Sequence, residues 1–449
     1  MVFLLVSNLS YISKIVERAV VNQVMAHVNE HNLLPVCQSA YRKHHSTETA
    51  LLKVQSDILQ SMDCGDVTLL VLIDLSAAFD TVDHKILLQR LLTEFGISGT
   101  PLKWLQSYLD GRRQVITIND AQSPEYLLQH GVPQGSCLGP ILFSLYASAL
   151  TKVIQKHLKN THGYADDNQL YLAFKPCGRQ NESLAKSCIE RCLTDVKVWM
   201  TVNKLKMNDS KTEFIIIGSK QNLAKVEMDS IDVGEIRIHA VDSIRNLGAF
   251  FDRNLNMITH IAKKSKIAFN HLYNIRKIRH YLTKSATESL IHAFITSHLD
   301  YANSLLVGLP KCHTDRLQRI LNSAARLVFQ LPKYSHVTGL LRELHWLPMR
   351  ARIEFKILLL TFKAIHGLAP KYLTDALSVQ KPSRYSLRSS NTINLVTPMA
   401  KRKTMGDRAF AVAGPRLWNK LPAHIKSCTM VEQFKAKLKA HLFSSLCNY

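Results

Sequence analysis

The sequence predicts an α+β protein in which a ferredoxin-like β-α-β-β-α-β unit is followed by a basic, mostly helical region. Three observations carry that prediction. Between Val67 and Ile217 the apolar pattern reads strand, helix, hairpin, helix, strand, the order of a split β-α-β unit. Beyond Asp252 the apolar residues recur at helical spacing with no strand-rich stretch. Charge divides at the same place: 25 basic and 26 acidic residues up to Asp252, then 32 basic and 8 acidic from Arg253 to Tyr449, net charges of −1 and +24.

A chain of 449 residues with 46% hydrophobic positions can bury several cores, which excludes a small disulfide-stapled protein and a disordered one. The overall charge of +23 calls for a polyanionic partner, and its placement suggests a catalytic body joined to a nucleic-acid grip. The nine cysteines contain no C-x-x-C pair, so neither a zinc site nor a disulfide framework is expected. No apolar run approaches the length of a membrane span, and Met1 to Val6 lacks the basic start of a signal peptide. A reducing, intracellular compartment follows as the expectation. Lys401 to Lys403 is too short a basic cluster to decide between nucleus and cytoplasm.

Taken in order, Ser10 to Leu59 reads as helices, with Ile12, Ile15, Val16, Ala19 and Val20 on one inward stripe and a polar, basic loop from Gln38 to Thr49. Val67 to Ile73 is a continuous apolar run too short for a helix and suited to a buried strand, with Asp74 at its exit. Asp83 can cap a helix to about Leu92 that turns Ile86, Leu87, Leu91 and Leu92 inward. A second helix follows Pro140 and runs to about Leu158. His162 to Phe174 reads as a hairpin around Asp166 and Asp167. Leu184 to Val202 is a helix with Ile189, Leu193, Val196 and Met200 on one side, and Phe214 to Ile217 is a strand. Long basic helices follow at Ile258 to Tyr281, Thr287 to Ser297 and Thr314 to Phe329. Lys381 to Lys403 is a linker or an exposed nucleic-acid contact, and a last helix spans Val431 to Leu446.

In a split β-α-β sheet the first strand neighbours the hairpin, so Asp74 is expected to meet Asp166 and Asp167 although some ninety positions separate them. Carboxylates held on strand ends beside a cationic arm fit two-metal phosphoryl transfer, because hard divalent ions take oxygen ligands and an ion pair stabilises both the entering and the leaving oxygen.

Seven strings sharpen this reading. They are SNLSYISKIVER at 7–18, QSAYRKHHSTETALL at 38–52, LIDLSAAFDTVDH at 72–84, GVPQGSCLGPILFSLY at 131–146, YADD at 164–167, LKMNDSKTEF at 205–214 and NLGAFFD at 246–252. In that order they resemble the reverse transcriptases of non-LTR, LINE-class retrotransposons, in particular the jockey-like group. The likeness continues through SHLDYANSLLVGLP, LQRILNSAARLVF and GPRLWNKLP in the cationic half. It implies a right-hand polymerase: fingers and palm over 1–252, a helical thumb over 253–335 and a basic C-terminal region over 336–449. It also implies magnesium as cofactor, two ions with manganese as the alternative, and an RNA template, a DNA primer and deoxynucleoside triphosphates as partners, with no membrane. Oligomeric state is left open.

Residue by residue, the resemblance makes Asp74, Asp166 and Asp167 the catalytic, metal-holding aspartates and Lys211 the cation beside the departing pyrophosphate. Arg42 and Lys43 match the fingers contact to the triphosphate. Phe79 matches the aromatic under the sugar that excludes a 2′-hydroxyl, although by composition alone it is core. Gln134 and Gly135 match the nucleotide and template contact, where glycine admits close approach and the following helix start offers N–H groups to an anion. Leu247 and Gly248 match a hairpin that supports the primer end. Lys263, Lys264, Lys266, Arg276, Lys277 and Arg279 suit a thumb that tracks duplex phosphates. Asp80 and Asp83 read as caps.

The chain also departs from the family. Leu4, Leu5 and Val6 stand where an Arg-Pro pair is usual, and Ala40 and Tyr41 where Gly and Phe are usual. No stretch resembles the endonuclease that precedes the polymerase in such elements, which reads as a truncated frame without nuclease activity. Two functions therefore stand as expectations: an RNA-directed DNA polymerase, and a catalytically dead retroelement remnant that still binds nucleic acid.

Overall fold

The computed structural model describes residues 9–76, 78–119, 121–380 and 393–445. Two compact units are present. One comprises Met1–Lys43, Leu69–Phe214 and Glu227–Val241, the other His44–Thr68, Ile215–Val226 and Asp242–Tyr449. Neither unit is a single sequence segment.

The first unit opens with helix α1 (Tyr11–Glu30), capped by the Ser10 side chain accepting from Ser13 N–H. The expected inward stripe is wrong here. Tyr11, Ile12, Ile15 and Val16 are exposed, and the buried residues are Glu17, Val24 and Val28. Glu17 lies seven and eleven positions before those valines, on their face of the helix, and its carboxylate has buried N–H partners described below.

Strand β1 (Val67–Ile73) is almost wholly buried, as its apolar run predicts. Helix α2 (His84–Thr93) begins where Asp83 accepts the Ile86 N–H at 3.0 Å. It buries Leu87 and Leu91, but Leu92 faces solvent and the third inward position belongs to Arg90. The Arg90 guanidinium donates to the Tyr146 carbonyl and to Asn203 Oδ1 at 2.7 Å, which repays the burial of its charge. The single helix expected after Pro140 is two, α3 (Gly139–Ala147) and a shorter one at Leu150–Gln155. The hairpin appears as β2 (Asn160–Tyr164) and β3 (Asp167–Phe174), paired antiparallel from Asn160↔Tyr171 to Tyr164↔Asp167. Helix α4 (Arg179–Val202) buries Ile189, Leu193, Val196 and Met200, all four as expected, and β4 (Glu213–Ile217) closes the sheet.

The strand order is β4-β1-β3-β2. β1 therefore lies between the last strand and the hairpin, the pairing that a split β-α-β unit requires. Sequence reading missed the helix Gly99–Leu109 and the hairpin of Ser230–Val233 with Ile236–His239.

In the second unit the helix Thr47–Cys64 starts in a capping box between Ser46 and Thr49. A tight hairpin pairs Ser243–Asn246 with Ala249–Asp252. Helices then dominate: α5 (Ile258–Ile278), α6 (Lys311–Val328), α7 (Met349–Ile365) and α8 (Val431–Ser445). The expected helix over 287–297 is present within a helical run, Lys284–Ile291 and Ser297–Asp300, interrupted by a five-residue π-helical stretch, His292–Thr296.

The C-terminal part has a core of its own. Phe362 stacks on Phe434 with ring centroids 4.2 Å apart, and Trp418 completes the cluster 5.9 Å from Phe434. The indole N–H of Trp418 donates to the Ile393 carbonyl at 2.8 Å, while Asn419 exchanges two hydrogen bonds with the Leu395 backbone. Residues 393–395 are thus tied to the fold rather than forming an exposed linker. Residues 396–403 are irregular and mostly exposed, as expected, while 381–392 and Leu446 lie outside the described residues. Truncating Phe434 removes a fully buried ring from this cluster, so Phe434→Ala is expected to destabilise the chain by about 4 kcal/mol, read as the shift in a urea or thermal unfolding midpoint.

Candidate active site

The β2–β3 hairpin turns through Ala165 and Asp166 alone, and Ala165 takes φ +58°, a conformation unfavourable for a residue with a Cβ. Neighbouring backbone holds it there. The segment Cys37–Ser39 runs along the free edge of β2, with Gly163 N–H donating to Cys37 O at 2.8 Å and Ser39 N–H to Gly163 O at 3.0 Å. Gln38 Oε1 accepts from the N–H groups of Ala40 (3.2 Å) and Ala165 (3.4 Å), and the Ser39 hydroxyl meets His162 Nε2 at 2.8 Å.

Asp74 leaves β1 next to this turn. Burial and the neighbouring Asp74 charge push the Asp166 carboxyl above the usual carboxylate range, against a lowering backbone hydrogen bond. Asp74 has its own partners: Oδ2 accepts from Asn208 Nδ2 at 3.1 Å and lies 3.6 Å from Lys211 Nζ. A two-residue ladder, Leu75↔Met207 and Ser76↔Lys206, and the Asn208 N–H to Asp74 carbonyl bond fix that pair.

Asp74, Asp166 and Lys211 are thus brought into one neighbourhood. Asp167 is the first residue of β3 and exposed. Among the described residues no three His, Cys, Asp or Glu side chains form a group that could hold a metal ion. The two that meet still suit a hard divalent cation: an oxygen-only donor pair whose mutual repulsion a cation relieves.

The loop Gly131–Leu138 is stitched to the turn after β1. Gly131 N–H donates to Val82 O and Val132 N–H to Phe79 O, both at 2.8 Å, and His84 Nε2 donates to Gly131 O at 2.8 Å. Gly131 has φ +87°, and a Cβ there would stand 2.9 Å from the Asp80 carbonyl oxygen, so the approach requires glycine. Gln134 Nε2 donates to both Asp80 oxygens, at 3.0 and 3.2 Å. Asp80 therefore positions Gln134 rather than capping a helix, whereas Asp83 is the cap expected. Gly135 has φ +98° in the same loop. The Phe79 ring rests against Phe143 of α3 at 5.0 Å and is only partly buried.

The helix start after this loop does not offer its N–H groups to a ligand as expected. The buried Glu17 carboxylate accepts from Cys137 N–H at 2.6 Å and Leu138 N–H at 3.3 Å. Glu17 also takes the Tyr108 hydroxyl at 3.2 Å, and burial pushes that phenol up to about 12. An internal anion thus fills the positive end of α3.

Arg42 is largely committed to its own loop, donating to the carbonyls of Pro35 (2.8 Å) and Gln38 (2.9 Å), and Lys43 is exposed. Tyr41, noted in the sequence only as a departure, has φ +56°; burial and the nearby Asp166 raise its phenol pKa.

Leu247 and Gly248 lie in the second unit, as the turn of the hairpin ending at Asp252, with φ +42° and +80°. The Tyr301 hydroxyl donates to the Leu247 carbonyl, and a Cβ on Gly248 would lie 3.0 Å from that hydroxyl oxygen. Lys264 stands over the Tyr301 ring at 4.3 Å and Lys263 over Phe250 at 4.0 Å. Arg279 is buried and bonds the Leu327, Val328 and Leu282 carbonyls, so it does not track phosphates as expected.

Sequence reading missed Glu17, Tyr301 and the roles of Asp80 and Asn208. All four lie inside motif strings, and Glu17 also shares a helical face with Val24 and Val28.

A mixed α/β fold with coupled carboxylates at a strand end, a lysine beside them and a glycine-bearing loop opposite defines the class of candidate, and comparison with known proteins supplies the family. Residues 4–251, more than half of the chain, match the reverse transcriptase (RNA-dependent DNA polymerase) family. The chain belongs to that family, and within it to the jockey-like, non-LTR kind. It is 26% identical over 355 residues to a probable RNA-directed DNA polymerase from transposon BS of Drosophila melanogaster, covering 76% of this chain and 37% of that protein. It is 23% identical over 351 residues to the RNA-directed DNA polymerase from mobile element jockey of the same organism, covering 75% and 37%. The chain thus spans little more than a third of the length of these relatives. Telomerase from Candida albicans, solved with a fragment of telomeric RNA, is similar at a TM-score of 0.36 and 12% identity over 77% of this chain and 55% of that one. Reverse transcriptases generally use divalent metal ions. No described helix is long and apolar enough to cross a membrane.

The raised Asp166 pKa gives a stability prediction. A carboxyl harder to ionise when folded makes the folded state bind more protons than the unfolded one, so its destabilising effect is absent at low pH and grows as pH rises past the ordinary carboxylate range. In a chelating buffer Asp166→Asn should melt higher than the parent at pH 7, with the gain vanishing toward pH 4. Added magnesium should raise the parent's melting temperature and leave that of the variant unchanged.

Proposed function

We propose that this chain is the RNA-directed DNA polymerase of a non-LTR retrotransposon, extending a DNA 3′ end on an RNA template with deoxynucleoside triphosphates. The observation that carries the reading is the meeting of Asp74 and Asp166 at adjacent strand ends with Lys211 beside them, within a chain of this family. Residues 1–252 act as fingers and palm, 253–335 as thumb and 336–449 as a basic C-terminal region.

Asp74 and Asp166 would hold the divalent ions, with Asp167 recruited when they bind. Two magnesium ions, or manganese in their place, supply the positive charge that stabilises the entering and leaving oxygens. Lys211, 69% exposed and at present against Asp74, is free to swing toward the departing pyrophosphate and neutralise or protonate it. Phe79, backed by Phe143, lies under the sugar and leaves no room for a 2′-hydroxyl. Gln134, oriented by Asp80, and Gly135 contact the nucleotide and template. Because Glu17 fills the α3 terminus, the triphosphate depends on side-chain cations, Lys43 first and Arg42 through its loop. Leu247 and Gly248, pinned by Tyr301, support the primer end.

Primer extension on poly-A with an oligo-dT primer tests the reading. The parent should incorporate thymidylate, and the double variant Asp166→Ala with Asp167→Ala should lose about a thousandfold or more. If neither incorporates while both bind RNA/DNA hybrid in a salt-dependent way, the chain is a binding remnant instead. In an active parent, Phe79→Val should raise ribonucleotide incorporation at least about tenfold, measured as the ratio of kcat/KM for the ribo- and deoxynucleotide.

A further inference from the structure

Helices α5 and α6 enclose a cavity of about 620 Å³, within the range of small-ligand sites. Its lining includes the cations Arg276, Arg326 and Lys333, the imidazole of His280 and the aromatic rings of Phe269 and Tyr273, with no acidic residue. Phe269 and Tyr273 are one helical turn apart and remain 44% and 60% exposed. Lys277 Nζ stands over the Tyr273 ring at 4.5 Å, adding charge beside a stacking surface. Tyr281 and Tyr334, next in sequence to His280 and Lys333, are 81% and 88% exposed.

The cavity is preformed. Arg279, beneath it, donates to the Leu327 and Val328 carbonyls at 2.9 and 2.7 Å, which satisfies the end of α6 and ties it to α5. Arg326 is anchored in turn by its Nε bond to the Ser335 carbonyl at 2.9 Å. A ligand therefore meets fixed walls and little ordering cost.

Cations alone would serve a surface that only follows the phosphates of a duplex, since a duplex keeps its base faces stacked. Exposed rings interleaved with cations provide for something else: bases with a free face, attached to phosphates. We propose that the cavity between α5 and α6 is a binding site for unpaired nucleobases of a single strand, Phe269 and Tyr273 stacking the bases and Arg276, Arg326 and Lys333 meeting the flanking phosphates. The inference rests on the nucleic-acid-binding part of the proposed function and not on catalysis.

The test uses the full chain and a single-stranded RNA of about ten nucleotides carrying 2-aminopurine, beside a blunt duplex of the same length. The variant Phe269→Ala with Tyr273→Ala should weaken single-strand binding on the order of tenfold, abolish the stacking quench of 2-aminopurine and bind the duplex as the parent does. Tyr273→Trp should keep both binding and quench. Unchanged single-strand affinity, an equal loss on strand and duplex, or parent affinity for a poly-glutamate of matched charge equal to that for RNA would overturn the site. Primer extension on the same preparations separates the two readings: a parent that extends nothing yet shows the selective loss removes the polymerase and leaves this site standing.

Discussion

A carboxyl held partly out of water beside a second carboxylate resists ionisation. The sheet order imposes this on Asp74 and Asp166: β1 lies against β3, and the two-residue turn leaves Asp166 no room to retreat. Much of the surrounding structure reads as compensation. Asn208 and Lys211 share one oxygen of Asp74, and Gln38 holds the strained Ala165 backbone that carries Asp166. A polar arrangement that raises a carboxyl's pKa and still persists is a common mark of a functional site, because packing alone favours replacing such a pair by neutral residues.

The second consequence concerns where positive charge is available for a ligand. A helix start following a glycine-bearing loop is ordinarily an anion site. Here Glu17 occupies it from α1, and a carboxylate with several charge-assisted bonds at 1.5–3 kcal/mol each, roughly, is not easily displaced. The α3 terminus is thus a structural clamp that fixes the loop carrying Gln134, and Asp80 completes the orientation from the other side.

Long periodic elements were legible in the sequence. Val67–Ile73 and the buried face of Arg179–Val202 appear as read, because a continuous apolar run and a sustained helical period leave little alternative. The stripe on α1 was misread because its first turns carry exposed isoleucines while the buried face begins with a glutamate, and periodicity assigns apolar residues inward by rule. Asp74 and Asp166 were locatable because topology follows from element order. The Asp80–Gln134 bond was not, since it joins two loops 54 positions apart.

The cationic half shows the limit of composition most clearly. Its aromatic residues divide between buried rings such as Phe362, Phe434 and Tyr372 and exposed ones such as Phe269, Tyr273 and Tyr281, and residue type does not distinguish the sets. Charge is more constrained. Of the eight acids after Asp252, Asp300, Glu343, Glu354, Asp407 and Glu432 already pair with neighbouring bases. The 32 bases cannot be offset by what remains. With a screening length of about 8 Å at physiological salt, such an excess over a folded surface repels itself at short range. A polyanion relieves that repulsion when it binds, so binding should add to the stability of this half, an increment that shrinks as rising salt weakens association while salt itself screens the repulsion in the unbound chain.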